Sequence, residues 1–466
     1  MRKKSKIVMT LTVVVASLWS SVSFADVETD TTAAEQRSAP NSALHTWVYP
    51  NNKMAIQPTV YGVNNDCREI SRAEFPSFNT KLNSLGYQLL RFPGGWESEY
   101  FNWANNTAPG WSPHPCATAE QAKRAVSHKA FVVRTAPYMD NPSPANLNML
   151  KNEAKSLVVK HSGSVKHWLI GNEWWLQWGG GGTREEKLRR YATVARAIAQ
   201  GMKEANPRVT VYVTGDWTRP WEFTWIRRAF ESTRTWRYVD GVDLHIYAGD
   251  NGSATDYRNI GPRLRAIKSR TGKSKIFASE WAAVKRTSVG AKKALRSVNN
   301  MVIVMHRMVR AGVTSASYWP PTDFVPGIGL FNKGNGVYKD LPHGQAFKWM
   351  ANGMRGYSVP ATASDGLETT ASHNVDKKTI TVLIPSKELS NQDITVHFAN
   401  TDVTGVVSTQ VMWMANPDAV KQAANIVPIR VTKFDTANNT VTVTANPGTP
   451  RRGSSYELIK LVVKYQ

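Results

Sequence analysis

Two glutamates occupy places where a chain can hold chemistry rigidly. Glu173 follows the short apolar run "HWLIG" and comes directly after Asn172, and Glu280 follows "SKIFAS". Two carboxyl groups facing each other across a sugar are what glycosidic cleavage needs. One must carry a proton to release the leaving-group oxygen, and the other must be ionised to attack the anomeric carbon. A lone glutamate after an apolar run is more often a loop residue or a helix cap. Here each has suggestive company. Trp174 and Trp175 adjoin Glu173 and are expected to desolvate it and hold it protonated. A hydrogen bond from His245 or Tyr247 would favour the charged form of Glu280.

Other chemistries leave little trace. There is no H-E-x-x-H, no G-x-S-x-G and no phosphate-binding glycine-lysine loop. "HPC" at 114–116 is a poor metal site, and the ten histidines do not cluster. No cofactor is implied.

The elements that must position the two carboxylates alternate along the chain. β-rich runs lie at 59–65, 87–94, 129–135, 166–173, 208–216, 239–247, 274–280 and 313–319. Most are nearly continuous apolar runs, as strands covered on both faces should be. Amphipathic stretches separate them, for example 144–160, 184–205, 255–270 and 288–311. Eight strands, each followed by a helix, predict an α/β fold, a closed (β/α)8 TIM barrel over 58–355. An open doubly wound sheet is the alternative, but no glycine-rich phosphate loop follows the first strand. From 356 to 466 apolar and polar residues alternate between Asn, Asp, Gly and Pro, which predicts an additional C-terminal antiparallel β-sandwich domain. Residues 43–57, with "HTWVYPNN", are expected to add strands to it.

In such a barrel the chemistry sits where strands end and the following loops begin. Polar residues at those ends are Asn64, Asn65, Arg91, Tyr138, Asp140, Asn172, Glu173, Asp216, His245, Tyr247, Glu280, Tyr318 and Trp319. Glu173 and Glu280 end the fourth and seventh strands, across the mouth from each other, near enough for the roughly 5 Å gap of a retaining glycosidase.

"IGNEWW", "FASEWAA", "LLRFPGG" and "DLHIY" resemble the fingerprints of clan A glycoside hydrolases, in which the acid/base ends the fourth strand and the nucleophile the seventh. With the flanking sandwich, "RFPGG" is most similar to the families of α-L-arabinofuranosidases, β-xylosidases, heparanase-like β-glucuronidases and certain endoglucanases. "IQPTVYGVNN" is similar to their first strand. The resemblance spans about residues 55–360 by order of motifs. It implies that Glu173 is the general acid/base, Glu280 the nucleophile and Asn172 the partner of the sugar 2-hydroxyl. It further implies an arginine near the nucleophile at Arg91, the sixth-strand pair at His245 and Tyr247, and an aromatic under the sugar at Trp319. The long aromatic loop at 96–117 and "WWLQWGGGG" match no single family, which leaves the substrate open.

Trp96, Trp103, Trp111, Trp174, Trp175, Trp178, Trp217 and Trp221 all fall in expected loops or helix starts. About half should pack in the core, and the rest should form platforms for sugar rings. Trp96, Asp140, Trp174, Trp175, Trp178, Asp216, Trp217 and Trp319 are therefore the expected substrate contacts. A row of aromatics favours endo action on a polysaccharide; a pocket for one terminal sugar is the alternative.

The first 25 residues combine the basic "MRKKSK", an apolar core and "SVSFA", a signal peptide with cleavage after Ala25. An uncleaved anchor is the alternative, and no other segment could span a bilayer. Residues 26–42 are polar, acidic and aperiodic, a disordered leader. A secreted or periplasmic protein follows, with one disulfide between Cys67 and Cys116 or, alternatively, two buried thiols. The formal charge of +23, or +19 without Arg2, Lys3, Lys4 and Lys6, would concentrate polyanions. No nucleic-acid module is present and export argues against one, so the charge reads either as a solvated basic helix face or as a match to an anionic polysaccharide or envelope surface; the expected partner is a polysaccharide, with an anionic one as a hypothesis. The sequence thus predicts a secreted, cofactor-independent retaining glycoside hydrolase acting on a polysaccharide, with an acidic polysaccharide or the cell's own exopolysaccharide as candidates. A transglycosylase sharing every residue, and a non-catalytic carbohydrate-binding or envelope protein on a barrel scaffold, are the alternatives.

Overall fold

The computed structural model describes residues 44–108, 114–176, 180–250, 252–283, 294–364, 368–387, 393–444 and 456–466. The expected signal peptide and leader lie outside the described residues.

Eight parallel strands close into a barrel in chain order. They are Gly62–Asp66, Leu89–Gly94, His128–Val133, His167–Ile170, Thr210–Gly215, Gly241–Ala248, Lys275–Ala283 and Ser315–Tyr318. Side chains alternate across each strand, so every second residue enters the interior. Leu89, Ala130, Val132, Leu169, Tyr212 and Phe277 form an apolar plug apart from the main core. The larger core lies between the barrel wall and its helices. Two residues on from the plug, Leu89 gives way to Arg91, Leu169 to Gly171 and Tyr212 to Thr214. The interior thus changes from apolar to polar toward the strand ends. His245 pairs with Glu280 across the sixth and seventh strands, just past a bulge after Leu244. A bulge re-aims a side chain, and here it sets these two opposite each other.

Helices follow most strands as their period predicts. Pro144–His161 and Arg184–Ala205 match the expected spans, the second opened by a capping box between Thr183 and Glu186. The stretch at 255–270 begins instead as a 3-10 turn, Tyr257–Asn259, before the helix Ile260–Thr271. Leu295–Arg310 is buried on nearly every side because it packs against both the barrel and strands of a neighbouring sheet. A hairpin, Phe331–Gly334 with Val337–Asp340, stands before the last helix, Pro342–Gly353; the periodic reading did not foresee it.

The C-terminal strands form two sheets. A seven-stranded antiparallel sheet includes Val403–Trp413, Tyr456–Tyr465 and Thr379–Lys387, with Met54–Ala55 at its edge. A five-stranded sheet includes Asp393–Phe398, Thr440–Thr444 and Leu44–Val48. Leu44–Val48 runs parallel to Asp393–Phe398, an exception to the antiparallel expectation. It reaches that place from before the barrel, with no hairpin to reverse it. Val48, Ile380, Val382, Ile394, Val396, Val441 and Leu461 are among the side chains that fill the space between the sheets.

Candidate active site

The polar end of the barrel interior is organised by one guanidinium. Arg91 is fully buried, and its Nη1 donates to Glu280 Oε1 at 2.7 Å and to Asn64 Oδ1 at 2.8 Å. Its Nη2 donates to Asn172 Oδ1 at 2.7 Å. Asn64 is held in turn by its Nδ2, which donates to the carbonyls of Ser279, Ser317 and Tyr318. Four strands therefore converge on the arginine, which sets Glu280 and Asn172 at once. Tyr247 donates to the other Glu280 oxygen at 2.6 Å. His245 Nδ1 lies 3.3 Å from that same oxygen and 3.0 Å from Glu173 Oε1. Oxygens of the two glutamates and a nitrogen of His245 all lie within 4.8 Å of one another.

Electrostatics separates the groups. Burial pushes the Glu280 carboxyl up, but His245, Arg91 and the Tyr247 hydroxyl outweigh it, and the net shift is downward. For His245 burial acts against the proton, while Glu280 and then Glu173 favour it and raise the imidazole above its usual value. The Tyr247 hydroxyl is driven far up by burial and the two neighbouring carboxylates, so it stays a donor. The trio Glu173, His245 and Glu280 has donor spacing that suits a metal ion. The Arg91 guanidinium at 2.7 Å already brings Glu280 the positive charge that an ion would bring.

The fourth strand turns sharply before Glu173. Gly171 has φ +73°, and Glu173 itself has φ +37°. A left-handed backbone at a residue with a Cβ costs of order 1–3 kcal/mol and persists where the surrounding structure holds it. A Cβ on Gly171 would stand 2.8 Å from Thr135 and 2.9 Å from Glu99 Oε1, so only glycine fits. Because of this turn the neighbouring tryptophans part. Trp174 goes into the core, fully buried, stacked on Tyr191 with Nε1 donating to the Thr214 carbonyl. Trp175 stays at the site, half-buried and 6.3 Å from the His245 ring. The expectation that Trp174 contacts substrate is therefore corrected: packing on Tyr191 takes its whole surface. One-fifth of the Glu173 side chain remains exposed.

These nearly 470 residues carry no clear sequence match. No protein-family model and no curated protein matches the chain. Solved structures do. A family 51 α-L-arabinofuranosidase, AbfB from Bifidobacterium longum, superposes with a TM-score of 0.66 at 12% identity, over 91% of this chain and 100% of that one. A GH51 arabinofuranosidase from Xanthomonas axonopodis pv. citri gives 0.64 at 11% identity, over 90% and 99%. CelM2, a bifunctional glucanase-xylanase from a metagenome library, gives 0.60 at 14%, over 91% and 99%. The fold is the one these glycoside hydrolases share. The resemblance read from the motifs and the structural likeness thus point to the same barrel with the same flanking sheets.

The remaining expected residues are scattered more widely. Trp319, half-buried, lies 6.0 Å edge-on from Tyr247, and its Nε1 donates to Asp66 Oδ2 at 3.1 Å. Trp96 is half-buried and donates to Glu97 Oε1 at 2.7 Å. Trp217 is buried at 2% exposure with the Arg263 guanidinium over its ring, so it too is corrected from platform to packing. Asp216 is bound to Arg184 at 3.0 Å and to Thr218, so its carboxylate is engaged within the protein. Asp140 is exposed beside Gly180, where a Cβ would stand 2.0 Å from its Oδ1. Trp178 and Trp111 lie outside the described residues. Cys67 and Cys116 form a disulfide, tying the first strand's loop to the end of the 96–117 segment.

Sequence reasoning missed two sets of acids. Asp66, Glu69 and Glu97 are buried beside Trp319 around the Arg68 guanidinium, which itself sits 3.7 Å from the Phe324 ring centroid and 4.9 Å from that of Trp96. Burial and then the Asp66 charge push Glu97 up to about 9, so it is a neutral donor or acceptor at pH 7. The other is Glu99, buried below Asn172. Neither has a motif around it that could have exposed it.

Proposed function

We propose that the chain is a retaining glycoside hydrolase that cleaves a polysaccharide by a two-glutamate double displacement. One observation carries the reading: Glu173 and Glu280 oxygens lie within 4.8 Å at the mouth of a closed barrel, bridged by one imidazole. That gap suits direct attack by a carboxylate, whereas an inverting enzyme needs about 6.5–9.5 Å to admit water. Glu280, kept ionised by its three neighbours, attacks the anomeric carbon. Glu173 gives its proton to the departing oxygen, and a covalent glycosyl-enzyme forms. Water then loses a proton to Glu173 and attacks the anomeric carbon, and Glu280 leaves as a carboxylate. Asn172, fixed by Arg91, is placed to bind a sugar hydroxyl, and Trp319 and Trp175 offer half-exposed faces for ring stacking.

The solved neighbours include an α-L-arabinofuranosidase and a bifunctional glucanase-xylanase, which supports a glycan substrate. The formal charge of +19 that is left after signal-peptide cleavage supports an anionic chain as substrate. Signal-peptide cleavage and endo action belong to the same reading. The test is to incubate the purified protein with a panel of neutral and anionic polysaccharides and resolve the products. Release of oligosaccharides is expected, lost in Glu280→Gln. Cleavage undiminished by that substitution removes the nucleophile assignment, binding without cleavage by wild type favours a carbohydrate-binding protein, and longer products than substrates favour a transglycosylase.

A further inference from the structure

Glu99 closes the 3-10 turn Trp96–Glu99 after the second barrel strand and has no exposed surface. Its carboxylate faces inward to the backbone of two other strands. Oε2 accepts from Thr135 N at 2.5 Å and Ala136 N at 2.8 Å, past the end of the third strand. Oε1 accepts from Asn172 N, past the end of the fourth, and the Thr135 hydroxyl donates to both oxygens at 3.0 and 3.2 Å. Gly171 N makes the last ladder bond, to Val133 O at 2.8 Å. The next N–H, that of Asn172, has left the ladder and is taken by Glu99 instead. A buried N–H must find an acceptor, and Glu99 supplies one here. The path of the chain into Glu173, with its φ of +37°, is therefore set from outside the fourth strand.

We infer that Glu99 is a positioning residue for Glu173, holding the acid/base in register with Glu280 without touching substrate. This rests on the proposed glycosidase reading. Glu280 is held directly by Arg91 and Tyr247, and Glu99 joins that network one step further out, through Asn172, whose side chain Arg91 also binds. Disturbing Glu99 should therefore harm proton transfer far more than nucleophilic attack. In Glu99→Gln the amide NH2 group faces N–H donors where an acceptor is required, so the turn must shift.

The probes are aryl glycosides of the sugar identified by the polysaccharide panel, one with a 2,4-dinitrophenolate leaving group and one with 4-methoxyphenolate. The first departs without a proton and the second needs one. In Glu99→Gln, kcat/KM for the methoxyphenyl glycoside is expected to fall roughly a hundredfold, as misplaced catalytic groups do. For the dinitrophenyl glycoside it should fall less than about threefold, and azide should restore turnover. Thr135→Val, which removes only the hydroxyl, should show the same pattern more weakly and keeps the test standing if Glu99→Gln fails to fold. An equal loss on both probes, or no loss on either, overturns the inference. Glu173→Ala serves as the reference: if it lacks the leaving-group dependence while wild type cleaves, the acid/base assignment falls and this inference with it. A wild type inert on every polysaccharide removes the proposed function itself.

Discussion

Replacing Tyr247 by phenylalanine removes one hydroxyl and leaves the barrel wall otherwise intact, which isolates what that hydroxyl does for Glu280. The bond is 2.6 Å long and its acceptor is a carboxylate, so its worth is about 1.5–3 kcal/mol. Carboxylate charge is spent as the glycosyl-enzyme forms and returns as it breaks down. With about half the charge present at each transition state, roughly 0.8–1.5 kcal/mol is at stake per step, or about four- to twelvefold in rate. The sign differs between the steps. Attack on the anomeric carbon is helped by losing the bond, and breakdown, which regenerates the carboxylate, is slowed. With the dinitrophenyl glycoside, kcat should fall by about four- to twelvefold as breakdown becomes limiting. A burst of dinitrophenolate close to the enzyme concentration should precede the steady state. The acid limb of kcat/KM should also move to higher pH, because Tyr247 is one of three groups holding the Glu280 value down against burial. His245 and Arg91 remain, so the move is partial. Stopped-flow kinetics across pH measures all of this. An acid limb that stays put or moves to lower pH, or breakdown as fast as in wild type, would refute the reasoning.

The other expectations are as specific. In Glu280→Gln the imidazole of His245 keeps its burial but loses the first of the two carboxylates that raise it, so its NMR titration should move to lower pH. Trp174→Ala should cost about 3–5 kcal/mol in urea unfolding, since the ring is fully buried and stacked on Tyr191. Trp319→Ala, half-exposed at the mouth, should leave the urea midpoint near wild type and raise KM. Replacing Cys67 and Cys116 by serine releases a crosslink with a sequence separation of 49. The chain-entropy relation puts that at about 4 kcal/mol, seen as a lower urea midpoint that reducing agent does not change further.

What could be read in advance follows from where a contact leaves its signature. The barrel strands are covered on both faces, so most of their runs are nearly continuous apolar ones, and Glu173 and Glu280 stand out because each follows such a run. The association of Arg91 with Glu280 was legible only through the motif resemblance, because opposite charge alone singles out no one pair among 58 basic and 35 acidic residues. Trp174 and Trp175 were not separable, because adjacent residues share one composition and the backbone turn at Glu173 decides which ring enters the core. The stretch 288–311 reads as amphipathic, yet Leu295–Arg310 is buried on nearly every side, because a sheet from the far end of the chain covers the face that would otherwise meet solvent.

Glu99 marks the limit of this kind of reading. Apart from the Thr135 hydroxyl, its partners are main-chain N–H groups 36, 37 and 73 residues away. Every residue but proline carries that donor, so nothing at 135, 136 or 172 needs a particular side chain to make the bond. Only Gly171 leaves a trace, and a glycine has many reasons to follow a strand. A positioning acid of this sort becomes visible when the backbone it serves can be followed in space, and its effect must then be sought in the reaction it tunes. The leaving-group dependence of Glu99→Gln is that effect, because a side chain that merely filled space would slow both probes alike.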